Sequence, residues 1–402
     1  MTSRERVRAA LCRQQTDRCP NGLGGCETAG LHILAYQKAR KLLRLPERPV
    51  KVNTFMYNAV FERDALSAMH GDILLIESPN LSPSSIRKDR GWRAERMFGT
   101  WVLLPDADEL VIEADNCMYL ARDGVRYAKC PAGGLYFDSI AQDPLFGEVP
   151  MPKPSQLSYR RLTNDEKLRE LEETAKRYFE ETSFSLCCGE SICDLQLMPG
   201  GMLNWYDALL GDLGLAGEFL ERATDAAIAD LEVLSQALGD RCDMLPIAHD
   251  LGDRRGVTMG PELFRRAYLP HYRRLFAAWH ERTGMRILMH SCGSIADILE
   301  DLIDCGLDVI NPVQISCENM APAELKARFG NRVIFYGGAY DAVKMSAAAG
   351  FEEVYHEVTN NIRILGKGGG FIFAGVHNLP GDIPDEHLEA MLQAYERLCV
   401  NA

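Results

Sequence analysis

Apolar residues along the chain form short, strand-length runs that alternate with longer stretches of helical periodicity. Most of the short runs are rich in Ile, Leu, Val and Phe and end at a polar residue. The predicted strands are 19–24, 72–77, 183–189, 244–248, 286–292, 309–313, 333–336 and 371–376. Strands that alternate with helices predict a parallel sheet, and this number of strand–helix units favours a closed (β/α)8 TIM barrel.

The helical stretches fill the intervals between these strands. The predicted helices are 1–15, 31–44, 164–182, 213–238, 260–283, 295–305, 322–329, 350–365 and a last helix that starts near Pro384. Residues 97–131 alternate apolar and polar positions between turn signals, which predicts a small antiparallel β excursion. We expect a single barrel domain over residues 1–402. The competing fold is an open doubly wound sheet, which we rank lower because no Gly-x-Gly-x-x-Gly motif follows the first strand.

Polar side chains recur where the predicted strands end. They are Glu77, Glu190, His249, Asp250, His290, Cys292, Gln314 and His377. The carboxyl ends of the strands of such a barrel meet at one face, where the active site is expected. Each residue alone is consistent with a structural cap, but together they predict a site.

His290 and Cys292 carry the most specific chemistry. Residues two apart on a strand point the same way, so the imidazole and the thiolate can meet at one point, and this soft N/S pair suits zinc. Gly293 permits a sharp turn, and Ser294 is suited to cap the helix that follows. The alternative for an isolated His-x-Cys is a core histidine that bonds a carbonyl beside a buried cysteine.

Composition and charge disfavour some classes of binding partner and indicate the cellular compartment. The net charge is −13, and the basic residues are not clustered, so nucleic acid and anionic membrane surfaces are disfavoured as partners. No apolar run approaches the length of a membrane span, and the charged N-terminus lacks the apolar core of a signal peptide. The 13 scattered cysteines then favour reduced thiols. We expect a cytoplasmic protein without disulfide bonds.

Several motifs together resemble the uroporphyrinogen decarboxylase superfamily. They are Met1–Leu11 with Asp17–Pro20, His249–Gly252, Pro261–Phe264, His290–Ser294, Leu307–Gln314, Pro322–Lys326 and Phe335–Gly338. The resemblance covers nearly the whole chain and is strongest from 245 to 397. It implies a (β/α)8 barrel, in agreement with the strand count.

The resemblance implies one of two activities, and particular residues of this chain distinguish between them. The true decarboxylases hold a polycarboxylate with an Arg-rich segment, where this chain has Asn21–Gly25. The corrinoid-dependent methyltransferases carry a His-x-Cys pair, as at His290 and Cys292, and typically a third ligand, Cys, after the last strand. Here that strand ends at His377, so a histidine or a carboxylate would replace the thiolate. The resemblance therefore favours the methyltransferase branch.

The function expected from the methyltransferase branch is zinc-dependent exchange of a methyl group. The group would pass between a small methylated substrate, or a thiol acceptor, and a corrinoid (cobalamin) on a separate partner protein, since the chain lacks the corrinoid-binding Asp-x-His-x-x-Gly motif. We expect metal ligation by His290, Cys292 and His377. The candidates for a fourth ligand or a general acid are Glu190, Asp250 and Glu77. The candidates for substrate binding are Asn21, His249, Gln314 and Trp205.

Other interpretations stay open at this point. A metal-free decarboxylase or another lyase would act on a carboxylated substrate, with Arg254 and Arg255 either holding the carboxylate or standing as exposed loop charges. A catalytically inactive scaffold is a third class. The loop predicted at 198–208, rich in Met and aromatic residues, would line an apolar pocket or pack on the barrel rim. A homodimer is left open.

Overall fold

The computed structural model describes residues 1–53, 57–77, 91–140, 149–159, 162, 164–192 and 195–401. Its helices are α1 Ser3–Leu11, α2 Ile33–Leu42, α3 Arg63–Ala68, α4 Asp165–Glu181, α5 Gly201–Gly211, α6 Leu213–Leu238, α7 Pro261–Ala267, α8 Leu269–Arg282, α9 Leu299–Cys305, α10 Pro322–Phe329, α11 Phe351–Gly366 and α12 Asp385–Tyr395. Its strands are β1 Val50–Lys51, β2 Ile73–Ile76, β3 Trp92–Met97, β4 Thr100–Pro105, β5 Glu109–Ile112, β6 Met118–Arg122, β7 Val125–Cys130, β8 Asp138–Ser139, β9 Ser185–Cys188, β10 Met244–Ala248, β11 Arg286–His290, β12 Val309–Asn311, β13 Ile334–Tyr336 and β14 Phe371–Ile372.

A parallel sheet of seven strands, in the order β2, β9, β10, β11, β12, β13 and β14, forms most of a barrel wall. The extended segment around Asn21 closes the remaining gap. Gly22 N donates to Phe373 O at 2.8 Å on one side, and Asp72 N donates to Asn21 O at 2.8 Å on the other. The eight-membered (β/α)8 barrel predicted from the sequence is therefore confirmed.

A buried network of ion pairs stabilises the region where the segment around Asn21 closes the barrel. The Asp72 carboxylate is fully buried and accepts hydrogen bonds from Arg6 at 2.6 Å and from Arg18 at 2.7 Å. It also accepts from the backbone N–H of Asn21 at 2.8 Å. Because these donors come from α1 and from the first barrel segment, the network joins the start of the chain to β2.

The β excursion begins earlier than the predicted residue 97 and consists of two small sheets. β3 pairs antiparallel with β4, and β4 also pairs in parallel with β1. β5 to β8 form an antiparallel meander. β3 was not predicted because three of its six residues, WRAERM, are charged and only Met97 is buried; the strand forms by pairing with β4.

The predicted loop at 198–208 was wrong for most of its length, because α5 starts at Gly201. Trp205, Ala208 and Leu209 are buried along one side of this helix. Their i, i+3, i+4 spacing is that of an amphipathic helix, which the glycines at its start had obscured. Among the helices of the described ranges, none is long and apolar enough to cross a membrane.

Candidate metal centre

The structure brings together His290, Cys292 and His377 at the carboxyl-terminal mouth of the barrel. One ligand atom from each lies within 4.8 Å of the others. His290 Nε2 is 3.4 Å from Cys292 Sγ, and the His290 and His377 rings meet edge to face with centroids 5.4 Å apart. His290 is the last residue of β11, whereas His377 follows β14, so two strands that are separated by β12 and β13 in the sheet supply the cluster.

Asn311 fixes the proton on His290. His290 Nδ1 lies 3.0 Å from Asn311 Oδ1, an atom that can only accept, so Nδ1 carries the hydrogen and Nε2 keeps its lone pair toward Cys292. The amide orientation follows from Asn311 Nδ2, which donates to Tyr336 O at 3.1 Å. The hydroxyl of Thr28 also donates to Asn311 Oδ1, at 2.6 Å. This outer contact gives His290 the tautomer that a metal-binding histidine needs.

The loop after β10 packs closely against the loop after β11, and this contact places a carboxylate beside the cluster. A Cβ on Gly293 would lie 2.2 Å from the backbone of Gly252, and Gly293 has φ +84°, so only glycine fits there. Asp250 Oδ1 accepts from the backbone N–H of Cys292 at 2.9 Å and lies 3.7 Å from His290 Nε2. Asp250 is thus the carboxylate that lies against the histidine–cysteine pair.

Ser294 does not cap a helix, which corrects the sequence prediction. Its hydroxyl donates to Glu318 O at 2.6 Å, and its N–H donates to Asp253 O at 2.7 Å. The chain makes a further turn before α9 begins at Leu299. Because the backbone at Gly293 packs closely against Gly252, Ser294 hydrogen-bonds to the neighbouring loops and not to the first turn of the helix.

Burial dominates the electrostatics of the cluster. It lowers the pKa of His290, and it lowers the pKa of His377 to about 4, with the charge of His290 as the second cause. It raises the pKa of Cys292 to about 12, to which the charge of Asp250 adds. Both imidazoles are therefore neutral at pH 7, as metal ligation requires, and the thiol loses its proton only when a cation compensates the charge.

The donor set fits a zinc ion. One imidazole nitrogen and the sulfur of Cys292 already lie close together, and a cation there would offset the cost of forming the buried thiolate. His377 fits less directly, because its Nδ1 accepts the N–H of Asn378 at 2.8 Å, which leaves the proton on Nε2. Its ring has to turn away from Asn378 before it can offer a lone pair.

The other predicted catalytic carboxylates lie on other strands of the mouth. Glu190, after β9, is buried, and its charge contributes to raising the pKa of Glu27. Glu77, after β2, faces Lys51, with 3.8 Å between Oε2 and Nζ. Neither belongs to the histidine–cysteine cluster.

Of the four predicted substrate-binding residues, Gln314 lies at the cluster, where its Oε1 accepts the N–H of Gly293. The other three are buried in packing positions. Asn21 donates to Met69 O at 2.7 Å, His249 Nδ1 lies 2.7 Å from the Tyr272 hydroxyl, and Trp205 Nε1 donates to the Tyr268 hydroxyl at 2.9 Å. Burial lowers the pKa of His249 to about 3, so this histidine is neutral between β10 and α8.

Sequence reasoning missed Asn311, Thr28 and Glu27. Asn311 is the last residue of β12, and the predicted site residues also lie at strand ends, so its position could have identified it as a site residue. Burial, followed by the charge of Glu190, raises the pKa of Glu27 to about 7. Glu27 and Thr28 follow the Gly-rich end of the first barrel segment, where the sequence has no helical or strand periodicity to place them.

The fold and the mouth residues are those of a TIM-barrel protein with a candidate metal centre. The family model described as uroporphyrinogen decarboxylase (URO-D) matches residues 196–398, and the chain belongs to this family. The superfamily expected from the sequence is thereby confirmed.

One solved structure shows a likeness of fold. A methyltransferase from Methanosarcina mazei is 14% identical over 99% of each chain, with a TM-score of 0.56. A Xanthomonas albilineans dihydropteroate synthase is 19% identical over 38% of this chain and 52% of its own, with a TM-score of 0.25. No curated protein matches the chain.

Proposed function

We propose that this chain is the methyltransferase component of a corrinoid-dependent system. In this account a zinc ion is held by His290, Cys292 and His377, and a methyl group is exchanged between a small methylated substrate, or a thiol acceptor, and a corrinoid on a separate protein. The observation that carries the proposal is the cluster of these three side chains at the mouth of the barrel. Membership of the URO-D family and a fold shared with a methyltransferase support it.

The histidine–cysteine pair supplies the electrostatic part of this chemistry. Zinc, when bound, lowers the pKa of a thiol or hydroxyl and stabilises charge on the heteroatom that carries the methyl group. His290 offers Nε2 because Asn311 holds its Nδ1 proton, and Cys292 adds a negatively charged donor. The partial burial of Cys292, which keeps its thiol protonated in the absence of a cation, reduces the screening of that charge by water.

Asp250 is placed to move the proton. As the methyl group departs, the bonding electron pair stays on the substrate heteroatom, which then takes up a proton; in the reverse direction a thiol must lose one. The Asp250 carboxylate is half exposed and is anchored by the N–H of Cys292, so it can exchange protons between the cluster and solvent. Gln314 holds the same turn through Gly293 and thereby keeps Cys292 in position.

The test is a methyl-transfer assay with a reduced corrinoid protein. The full chain is supplied with zinc and with methanol, methoxyaromatics, methylamines or methyl thiols, and the absorbance of the corrinoid is followed. We expect the methylated corrinoid to form with at least one donor, and to form neither with Cys292→Ala nor without the chain. Metal-independent decarboxylation of a carboxylated substrate, unchanged in Cys292→Ala, would instead establish the decarboxylase alternative.

A further inference from the structure

A groove of about 850 Å³ lies at the amino-terminal end of the barrel, opposite the metal centre. It is lined by the segment after α1, by the end of α10 and by the end of α11 with the loop that follows it. Each of these segments leads into a barrel strand, so the groove is on the face away from the mouth. We call it the basic groove, because its charged lining consists of Arg13, Lys326, Arg363 and Lys367.

The basic groove concentrates positive charge in a chain whose net charge is −13. No described residue that lines it is acidic. Like charges that share one concave surface repel one another, and a bound anion would remove this repulsion. The four cations are far apart in the sequence, so the cluster exists only in the folded chain.

Two of these cations contact only backbone acceptors. Lys326 Nζ donates to Gly369 O at 2.6 Å, and Arg13 Nη1 donates to Arg332 O at 3.2 Å. A carbonyl oxygen carries no net charge, and within the described ranges neither cation pairs with a carboxylate. Both side chains therefore keep N–H groups and charge for a ligand.

The other two cations lie four residues apart at the end of α11. Arg363 is in the last turn of this helix and Lys367 is its C-cap, so the two side chains share one face. Both residues are exposed, and neither forms an ion pair with another described residue. The carboxyl-terminal end of a helix favours each cation alone, but like charges at this spacing destabilise each other.

The loop before β14 adds backbone donors to the groove. Gly368, Gly369 and Gly370 have φ +73°, +86° and +72°. Gly368 lines the groove, and its N–H donates to no acceptor in the described part of the chain. Because glycine has no Cβ, an anion can approach this N–H group closely.

We propose that the basic groove binds a small phosphorylated molecule. The guanidinium of Arg363 would donate two parallel hydrogen bonds to phosphoryl oxygens, and Lys326 and Lys367 would act as point charges. The N–H of Gly368 would donate to a further oxygen. Ile364 also lines the groove and would contact an apolar part of the ligand. This inference is independent of the proposed methyl transfer, because the groove and the metal centre lie at opposite ends of the barrel.

The test is a calorimetric titration of the full chain with inorganic pyrophosphate at low salt concentration. We expect one pyrophosphate to bind per chain, and Arg363→Gln combined with Lys367→Gln to weaken binding about tenfold or more. The control is Lys41→Gln combined with Arg44→Gln, which removes two exposed cations at the end of α2 and should leave the affinity unchanged. Both pairs change the net charge equally, so they separate a local site from general electrostatic attraction. Lys367→Arg, which keeps the charge, should retain most of the affinity.

Hydrogen–deuterium exchange then locates the bound pyrophosphate. We expect slower exchange in the peptide that covers residues 363–370 and no change in the peptide that contains Cys292.

Several results would overturn the proposal. They are no binding at millimolar concentration, an equal loss of affinity in the control pair, citrate binding as tightly as pyrophosphate, and binding to phosphatidic acid vesicles that pyrophosphate does not displace. A loss of binding in Cys292→Ala would also overturn it, because pyrophosphate would then be bound at the metal centre. Zinc content and methyl transfer are measured separately, so failure here leaves the proposed function untouched.

Discussion

Asn311 Oδ1 lies 3.0 Å from His290 Nδ1 and determines which nitrogen of the imidazole faces Cys292. Asn311→Ala removes this acceptor and frees the ring to turn or to move its proton. We expect zinc affinity to fall about 10- to 100-fold, as is usual when the partner of a metal-binding histidine is lost. Competition with a chromophoric chelator measures this affinity without reference to activity.

Two further variants distinguish a loss of His290 positioning from a general disruption of the fold. Asn311→Asp keeps an acceptor for His290 and should retain most of the affinity. Asn361→Ala removes a buried asparagine that donates to Ala339 O at 3.2 Å, away from the cluster, and should not change zinc binding. An unchanged dissociation constant in Asn311→Ala would show that the contact has no role in metal binding.

Among the carboxylates near the amino terminus, Asp72 should cause the largest loss of folding stability when it is neutralised. Asp72→Asn leaves Arg6 and Arg18 without their buried counter-charge, which costs about 3–5 kcal/mol in comparable cases. Urea unfolding measures the loss. The control is Asp385→Asn, which breaks the exposed pair with Lys38 and should cost about 1 kcal/mol or less. Equal effects of the two changes would contradict a central role for the buried network.

Glu27 should destabilise the folded protein at alkaline pH. Its folded pKa of about 7 is above the ordinary value of a glutamate, so the folded state binds the proton more tightly than the unfolded state. The resulting penalty is absent below about pH 4, grows as the pH rises toward 7, and reaches an upper limit of roughly 3 kcal/mol above it.

The corresponding measurement compares Glu27→Gln with the unmutated protein by urea unfolding at two pH values. The variant should gain stability relative to the unmutated protein at pH 8 and gain little at pH 4.5. The exposed Glu47→Gln should show no such difference between the two conditions. A gain that is the same at both pH values would mean that the pKa of Glu27 is not raised.

The barrel could be predicted because its strands are buried on both faces and therefore appear as short apolar runs. His290 and Cys292 could be placed together because residues two apart in an extended segment point the same way; β11 ends at His290, and Cys292 follows it by two residues. His377 joined them because all strand ends of a parallel barrel share one face, which is a property of the fold rather than of local sequence.

The contacts around the cluster could not be predicted, since they depend on which strands are neighbours and on how loops bend. Asn311 reaches His290 because β11 and β12 pair in register, and Thr28 reaches Asn311 from a loop without periodicity. His249 precedes Asp250 by one residue, yet it packs against Tyr272, because adjacent residues of an extended segment point to opposite sides. Trp205 was assigned to a substrate-binding loop because the glycines before it hid the start of α5.

The zinc content of the purified chain, measured by elemental analysis, tests the proposed metal centre most directly. We predict about one zinc ion per chain, little or none in His290→Ala and Cys292→Ala, and a clear reduction in His377→Ala. His249→Phe, which changes a buried histidine outside the cluster, should keep its zinc. Retention in His377→Ala would make Asp250 the better third ligand. No metal above background in the unmutated protein, or full retention in Cys292→Ala, would contradict the proposed centre.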